Sequence, residues 1–246
     1  MYEQLTEILR ESDNIVFFGG AGVSTESDIP DFRSEQGLYN ARQNYGMSPE
    51  QMLSHSFFMS NTGKFFDYYK NNLIYTEAMP NDAHKVLAEL EKMGKLKAVV
   101  TQNIDGLHQK AGSSRVYELH GSVLRNYCMD CGEYYDLDYI MDPENCDGLI
   151  PKCRKCGGTV KPDVVLYEEM LDDEQITGAV DAIGKADTLI IGGTSLVVYP
   201  AAGFVNYYRG DKLVLINKSE TSFDNRASLV INDSIGKVLK AAFEGI

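Results

Sequence analysis

The sequence predicts an α/β protein built on a doubly wound parallel sheet, and three observations carry that expectation. Short apolar runs of strand length recur along the chain. Most are separated by segments with helical periodicity. The first of them, "NIVFF", runs straight into glycine, as a strand entering a nucleotide-binding turn would.

Taken in order, residues 2–11 place Leu5, Ile8 and Leu9 on one helical face, and "NIVFF" (14–18) follows as a buried strand. Further buried strands are expected at "LKAVVT" (96–101), "VVLY" (164–167), "TLIIGG" (188–193), "KLVLIN" (212–217) and "SLVIN" (228–232). Between them, "NDAHKVLAELEKMG" reads as a helix with Asn81 as N-cap, Ala83, Val86, Leu87 and Leu90 on its buried face, and Gly94 as its stop. "DDEQITGAVDAIGKA" and "DSIGKVLKAAF" repeat the helical theme.

Two segments break the alternation. Residues 34–79, rich in Met, Phe, Tyr and Asn, predict a helical insertion, and residues 121–162, which hold the cysteines, predict a small inserted module. The Rossmann-like part is then 1–33, 80–120 and 163–246 of a single domain spanning 1–246.

The 246 residues are 43% hydrophobic, enough for a sizeable core, and no run approaches the ~18 apolar residues that cross a bilayer. "MYEQLTEILRES" lacks the basic and apolar regions of a signal peptide, so a cytoplasmic protein without membrane attachment is expected. With 36 acids against 23 bases the net charge is −13, which disfavours direct binding to nucleic acid. Nothing in the sequence requires more than one copy, and a monomer is the expectation.

Cys128 and Cys131 form one C-x-x-C pair and Cys153 and Cys156 a second, a spacing that places four thiolates around zinc. Four sulfurs leave no position for water, so the metal would be structural. Cys146 lies between the pairs as a bystander. Lys152, Arg154, Lys155 and Lys161 form only a small basic patch on an acidic chain, the weakest of the functional readings.

Gly20 and Gly22 supply the first two glycines of G-x-G-x-x-G, where backbone N–H groups can meet a phosphate, but Thr25 holds the third place. Then come Asp28, Pro30, Asp31, Phe32 and Arg33 where a long helix would run. "GGTSL" (192–196) follows another strand, and "TQNIDGLHQKAG" a third, bringing Gln102, Asn103, Asp105 and His108 within seven residues. Asn and Asp after a strand also serve as caps and turn-formers, so spacing alone leaves both roles open. "VYELHG" sets His120 at the end of a candidate strand, where such loops converge.

"GAGVS", "IPDFRS", "TQNIDGLH", "LHG", the paired C-x-x-C knuckles, "KPDVVLYEE", "GGTSL" and "IN" occur in the order found in sirtuins, and the chain resembles that family from about Ile15 to Ile235. The resemblance implies an NAD-dependent protein lysine deacylase of the compact bacterial type, with acyl-lysine proteins as partners. NAD would be consumed as a co-substrate, which explains why the hydride-transfer pattern fails after Gly22. It implies that Gly20, Ala21, Gly22, Thr25, Asp31 and Arg33 meet the diphosphate and its ribose, and that Phe32 covers the face vacated by nicotinamide. Ile104 and Asp105 would hold the carboxamide, with Gln102 and the catalytic Asn103 along the reacting ribose. Thr194, Ser195, Asn217 and Ile235 would line the adenosine half. Val165 and Tyr167 would form the acyl-lysine tunnel and pair with the substrate backbone. His120, also in contact with the ribose, would be the general base that lets a ribose hydroxyl take over the acyl group, yielding lysine and 2′-O-acyl-ADP-ribose. ADP-ribosyl transfer to protein, or NAD sensing without turnover, would use the same pocket.

The chain departs from the family in three places. Asp28 and Glu168 stand where glycine is usual, and Asp tolerates positive φ better than most residues. An ungapped placement over "FFDYYKN" sets Phe66 and Tyr69 where members acting on acidic acyl groups carry Tyr-x-x-Arg. Without that arginine, acetyl or another uncharged acyl group is implied.

Overall fold

A computed structural model describes residues 2–31, 43 and 45–246. Phe32 and Arg33 lie outside the described residues. Strands β1 (Ile15–Gly19), β2 (Leu96–Thr101), β3 (Val116–Glu118), β9 (Thr188–Gly192), β10 (Lys212–Ile216) and β11 (Leu229–Ile231) form one sheet in the order β11-β10-β9-β1-β2-β3. All of its pairings are parallel. Numbered within the sheet this is 3-2-1-4-5-6, the doubly wound order, whose direction reverses between β1 and β9.

The sheet is buried on both faces, so its strands need not alternate with polar residues. Ile15 and Phe17 of β1 point into one core, with Val99, Ile190 and Val214 and the helices Tyr2–Glu11, Asp82–Lys92 and Ile235–Phe243. Val16 and Phe18 point into the other, with Val100, Ile191 and Leu215 beneath the helix Asp173–Lys185. Asn81 caps its helix as the sequence suggests, and Gly94 ends the following turn at φ +74°.

One expected strand is not in this sheet. Residues 164–167 leave β8 (Val160–Val164), which pairs antiparallel with β4 (Gly121–Cys128) in a three-stranded sheet completed by β5 (Tyr134–Asp136). The run "VVLY" alternates, Val164 and Leu166 buried and Val165 and Tyr167 half-buried, and two segments outside the six-stranded sheet hold its backbone: Val165 N–H donates to His120 O at 3.0 Å, and Tyr167 N–H to Leu53 O at 3.0 Å. A short apolar run by itself cannot separate the two settings.

The helices Pro49–Met52, His55–Ser60 and Thr62–Asn72 pack directly on the cysteine module. Phe57, Phe58, Phe65, Phe66, Tyr68 and Tyr69 share one core with Val123, Tyr139, Ile140, Val160 and Leu166. The two insertions therefore build one small domain, and the chain crosses into it twice. Among the described residues no helix is long and apolar enough to cross a membrane.

Candidate active site and metal centre

Each cysteine pair sits in the same five-residue turn. Gly132 N–H donates to Cys128 O at 3.0 Å, and Gly157 N–H to Cys153 O at 2.9 Å. Gly132 and Gly157 have φ of +71° and +79°, which explains the glycine after each C-x-x-C. The turns face each other with Sγ separations of 3.4 Å (Cys128–Cys156), 3.6 Å (Cys131–Cys153) and 3.5 Å (Cys156–Cys131). Four sulfurs about 2.3 Å from a common centre form a tetrahedron with edges of about 3.8 Å. The donors thus fit tetrahedral zinc, with all four within 4.8 Å of one another. Lys155 N–H and the Tyr135 hydroxyl reach Cys153 Sγ at 3.4 and 3.1 Å, the kind of contact that supports a thiolate. Cys146 stands outside this group, 3.5 Å from Lys70 Nζ. The basic patch is already engaged: Lys155 with Glu133, Lys161 with Glu169, Arg154 with Asn145 and the Tyr139 ring.

At the reversal point, two glycine loops interlock. Gly22 N–H donates to Gly193 O at 2.8 Å, and a Cβ on Gly22 would stand 2.8 Å from Gly193 Cα. Neither loop can carry side chains there, and the Gly20 and Gly193 N–H groups are also held internally, by Gly192 O at 3.3 Å and Ile216 O at 3.2 Å. Gly193 has φ +59°, and Leu196, a buried leucine, is held at φ +56° with its N–H donated to Thr194 Oγ1. Thr25 Oγ1 donates to Gly22 O at 3.0 Å. Asp28 adopts φ +62°, ψ +19°, the left-handed conformation expected of the glycine it replaces. Asp31, half-buried, is the last residue described before the gap.

Between the two domains lies a cleft of about 220 Å³, lined by Ala21, Gln102, Asn103, Ile104, Asp105, His120, Val165 and Tyr167 among others. These expected site residues are brought together from four segments of the chain. Gly20, Gly22, Thr25, Thr194, Ser195, Asn217 and Ile235 are not on its wall. They follow β1, β9 and β10 or begin the last helix, along the carboxyl edge of the sheet. Of these, Ser195 is exposed, whereas Ile235 packs its side chain into the core against Gly192.

His120 sits on the turn where the chain leaves β3 for β4. Gly121, at φ +74°, permits that turn, because a Cβ would run into the Asp163 carbonyl. His120 Nδ1 lies 2.9 Å from Gln102 O. A carbonyl can only accept, so Nδ1 carries the proton and Nε2 is the basic nitrogen. Gln102 is pinned in turn: its N–H donates to Gly19 O, and its Nε2 to Thr194 Oγ1 at 3.2 Å.

Ser24, which motif reading passed over, links the next two residues. Its hydroxyl donates to Asp105 Oδ2 at 2.7 Å and accepts from Asn103 Nδ2 at 3.0 Å. Burial pushes the Asp105 carboxyl above the usual range, against the opposing N–H of Leu107 and hydroxyl of Ser24. The only signal of Ser24 in the sequence is its place after "GAGV". His108 is not in the cleft; it is buried beside His84, ring centroids 4.7 Å apart.

Two expectations about the acyl side need correction. Phe66 and Tyr69 are fully buried and face the cysteine module, since positions 65, 66 and 69 share the inward face of their helix. Asn72, Leu73 and Tyr75, where that helix ends, line the cleft instead. Among the described lining residues there is no lysine or arginine. Tyr167, for its part, has its backbone N–H and C=O taken by Leu53 and His55, leaving its side chain rather than its backbone for the cleft.

A dinucleotide-type parallel sheet, glycine loops at its reversal point, and a four-cysteine domain beside a cleft with an oriented histidine define the class. The sequence profile of the Sir2 family matches residues 20–200, and the chain belongs to that family. It is 67% identical over 237 residues to a Clostridium perfringens protein named NAD-dependent protein deacetylase, covering 96% of each chain. It is 64% identical to a Clostridium acetobutylicum protein of the same name, again over 96% of each. Among solved structures, "The Structural basis of Sirtuin Substrate Affinity" matches with TM-score 0.88 and 36% identity over 98% of both chains. "Sir2 bound to acetylated peptide" matches with TM-score 0.86 and 35% identity over 99% of this chain and 98% of that one.

Proposed function

We propose that this protein is an NAD-dependent protein lysine deacetylase, releasing nicotinamide and passing the acyl group of acyl-lysine to ADP-ribose. The names of its relatives support the reading, as does a similar Sir2 structure (TM-score 0.87, 37% identity, 99% and 98% coverage) described with a deacetylated peptide and 3′-O-acetyl ADP ribose. The observation that carries it is the His120–Gln102 contact, which fixes the tautomer of an imidazole lining the cleft.

NAD, as co-substrate, supplies a ribose carbon that becomes electrophilic as nicotinamide departs. The turn of Gly20, Ala21 and Gly22, with Thr25, would hold its diphosphate. Asp31, Phe32 and Arg33 would close the loop over it. Thr194, Ser195, Asn217 and the backbone around Ile235 would receive the adenosine half. Ile104 and Asp105 would hold the carboxamide, with Ser24 keeping Asp105 and Asn103 in register. Asn103 and Gln102 would line the reacting ribose. His120 Nε2 would accept a proton from a ribose hydroxyl so that its oxygen can take the acyl carbon, a step for which general-base catalysis contributes roughly 10²–10⁴-fold. Val165 and the Tyr167 ring would wall the acyl-lysine. With Asn72 and Leu73 at the cleft and no cation among its described residues, the group removed is acetyl or another uncharged acyl chain. One zinc ion on Cys128, Cys131, Cys153 and Cys156 would hold the small domain together and take no part in the chemistry. The protein would act as a cytoplasmic monomer.

The test is mass spectrometry of an acetyl-lysine peptide incubated with NAD, beside a His120→Ala control. The expected result is deacetylated peptide, nicotinamide and 2′-O-acetyl-ADP-ribose in equal amounts, lost in the variant. Label from NAD appearing on protein, with no acyl-lysine peptide turned over, would replace this reading with ADP-ribosyl transfer. NAD binding without nicotinamide release would leave a sensor.

A further inference from the structure

Glu168 occupies backbone that favours glycine, with φ +78°. Its surroundings hold it there: the carboxylate accepts from Ser56 N–H at 2.8 Å and from the Ser56 hydroxyl at 3.0 Å. A costly conformation that persists at a site is a pointer to function. The neighbouring Glu169 is already committed, accepting from Leu166 N–H and pairing with Lys161 and His55. Glu168 instead remains exposed.

Its position is a crest between two concavities. One is the cleft of the active site. The other is a separate groove of about 430 Å³, and Tyr167 and Glu168 line both. Met47, Phe57 and Tyr167 give the groove apolar surface, while Glu50 and Glu168 give it two carboxylates. Among its described lining residues there is no lysine or arginine to neutralise them. Apolar surface for a methylene stem, followed by anions for its head, matches a lysine or arginine side chain. A carboxylate has about four acceptor positions, so the two bonds from Ser56 leave Glu168 able to take a further donor.

We propose that this groove is a subsite for one basic residue of the protein substrate, flanking the acyl-lysine, with Glu168 as its selecting residue and Glu50 as the second anion. The inference rests on the cleft being the acyl-lysine site. An exposed ion pair at the rim is modest, so a gain of about threefold to fivefold is expected, expressed through KM.

The experiment walks a single arginine, against glutamine, through the positions around acetyl-lysine in a short peptide, and measures kcat/KM at saturating NAD. Wild type, Glu168→Gln, Glu168→Gly and Glu50→Gln are compared by the ratio of the two peptides, which cancels any general loss of activity. We expect arginine to be favoured at one position in the wild type, the preference to vanish in both Glu168 variants and shrink in Glu50→Gln, and to weaken at high salt. Turnover without an arginine preference at any position overturns the inference alone, as does a preference that survives in Glu168→Gln. Turnover of no peptide at all overturns the deacylase reading, and the subsite with it.

Discussion

The parallel sheet and the small domain bury apolar surface in different ways. The sheet is flanked by two largely aliphatic cores, one per face, with its strands and helices supplied by successive crossovers. The small domain draws on two segments separated by helix, strand and loop of the other. Apart from β4 its strands are short, its second sheet pairs only β6 (Cys146–Asp147) with β7 (Ile150–Pro151), and its core is dominated by rings such as Phe58, Phe65 and Tyr69. Phe65 stacks on Tyr69 at 5.6 Å and meets Phe58 edge-on at 4.9 Å. Big rings fill space that a small sheet cannot organise, and four cysteine sulfurs gather where a metal would close what remains. One domain is held by many local choices that agree; the other depends on a few long-range ones.

Metal removal should separate the two most. Structural zinc contributes on the order of 10 kcal/mol of folding free energy to small zinc domains. Chelation is expected to release amide protection across residues 121–164 and the helices packed on them, while β1, β2, β9 and β10 stay protected in hydrogen exchange. Simultaneous loss in both would break the comparison and make the protein one cooperative unit. His120→Ala should cost roughly 10²–10⁴-fold in deacetylation, yet leave both protection patterns intact, since the residue lies on the seam.

A matched pair of core truncations comes next. Phe65→Ala and Leu90→Ala, both at fully buried positions, should each cost about 3–5 and 2–5 kcal/mol by denaturant unfolding. Only the first should increase the zinc needed for half-maximal protection of the small domain.

Acid should act on the large domain through its histidine pair. Burial lowers His84 to about 4 and holds His108 well below its ordinary value, where His84 adds repulsion. Neither ring nitrogen of His108 has a hydrogen-bond partner. With folded values below unfolded ones, the unfolded chain binds protons first. Stability is complete above about pH 6.5 and is lost as pH falls toward 4, by about 3 kcal/mol from His84 alone. Urea titrations at pH 7.0, 5.5 and 4.5 check this, with His84→Gln expected to flatten the slope. The smallest effect is opposite in sign: Asp105, raised by burial, loses stability as pH rises through its folded value, so Asp105→Asn should unfold at slightly higher temperature at pH 7 and lose that gain in acid.

Much of the large domain could be read in advance because its signals are local. "LKAVVT" is β2 residue for residue, and Asn81 caps the helix it introduces. The cysteine cluster was equally legible, since each C-x-x-C knuckle is a five-residue turn. What escaped were arrangements set by partners far away in sequence. "VVLY" is as apolar as any sheet strand, yet Leu53 and His120 claim its backbone. Phe66 and Tyr69 carry no mark telling inward from cleft-facing positions. Arg125 links Glu118 at 2.7 Å and Asp163 at 2.8 Å, tying the strand before His120 to the small sheet, and no motif announces that link.

By itself, then, the sequence determined the doubly wound sheet, the glycine loops, the two cysteine knuckles and the family resemblance, because each depends on residues close together in the chain or on patterns repeated along it. Tertiary structure alone decided that the two insertions share one core, that Ser24 joins Asn103 to Asp105, and that Glu168 stands on a crest between two cavities. Those outcomes depend on which surfaces meet. Burial and hydrogen bonding between distant segments settle that only once the whole chain has folded.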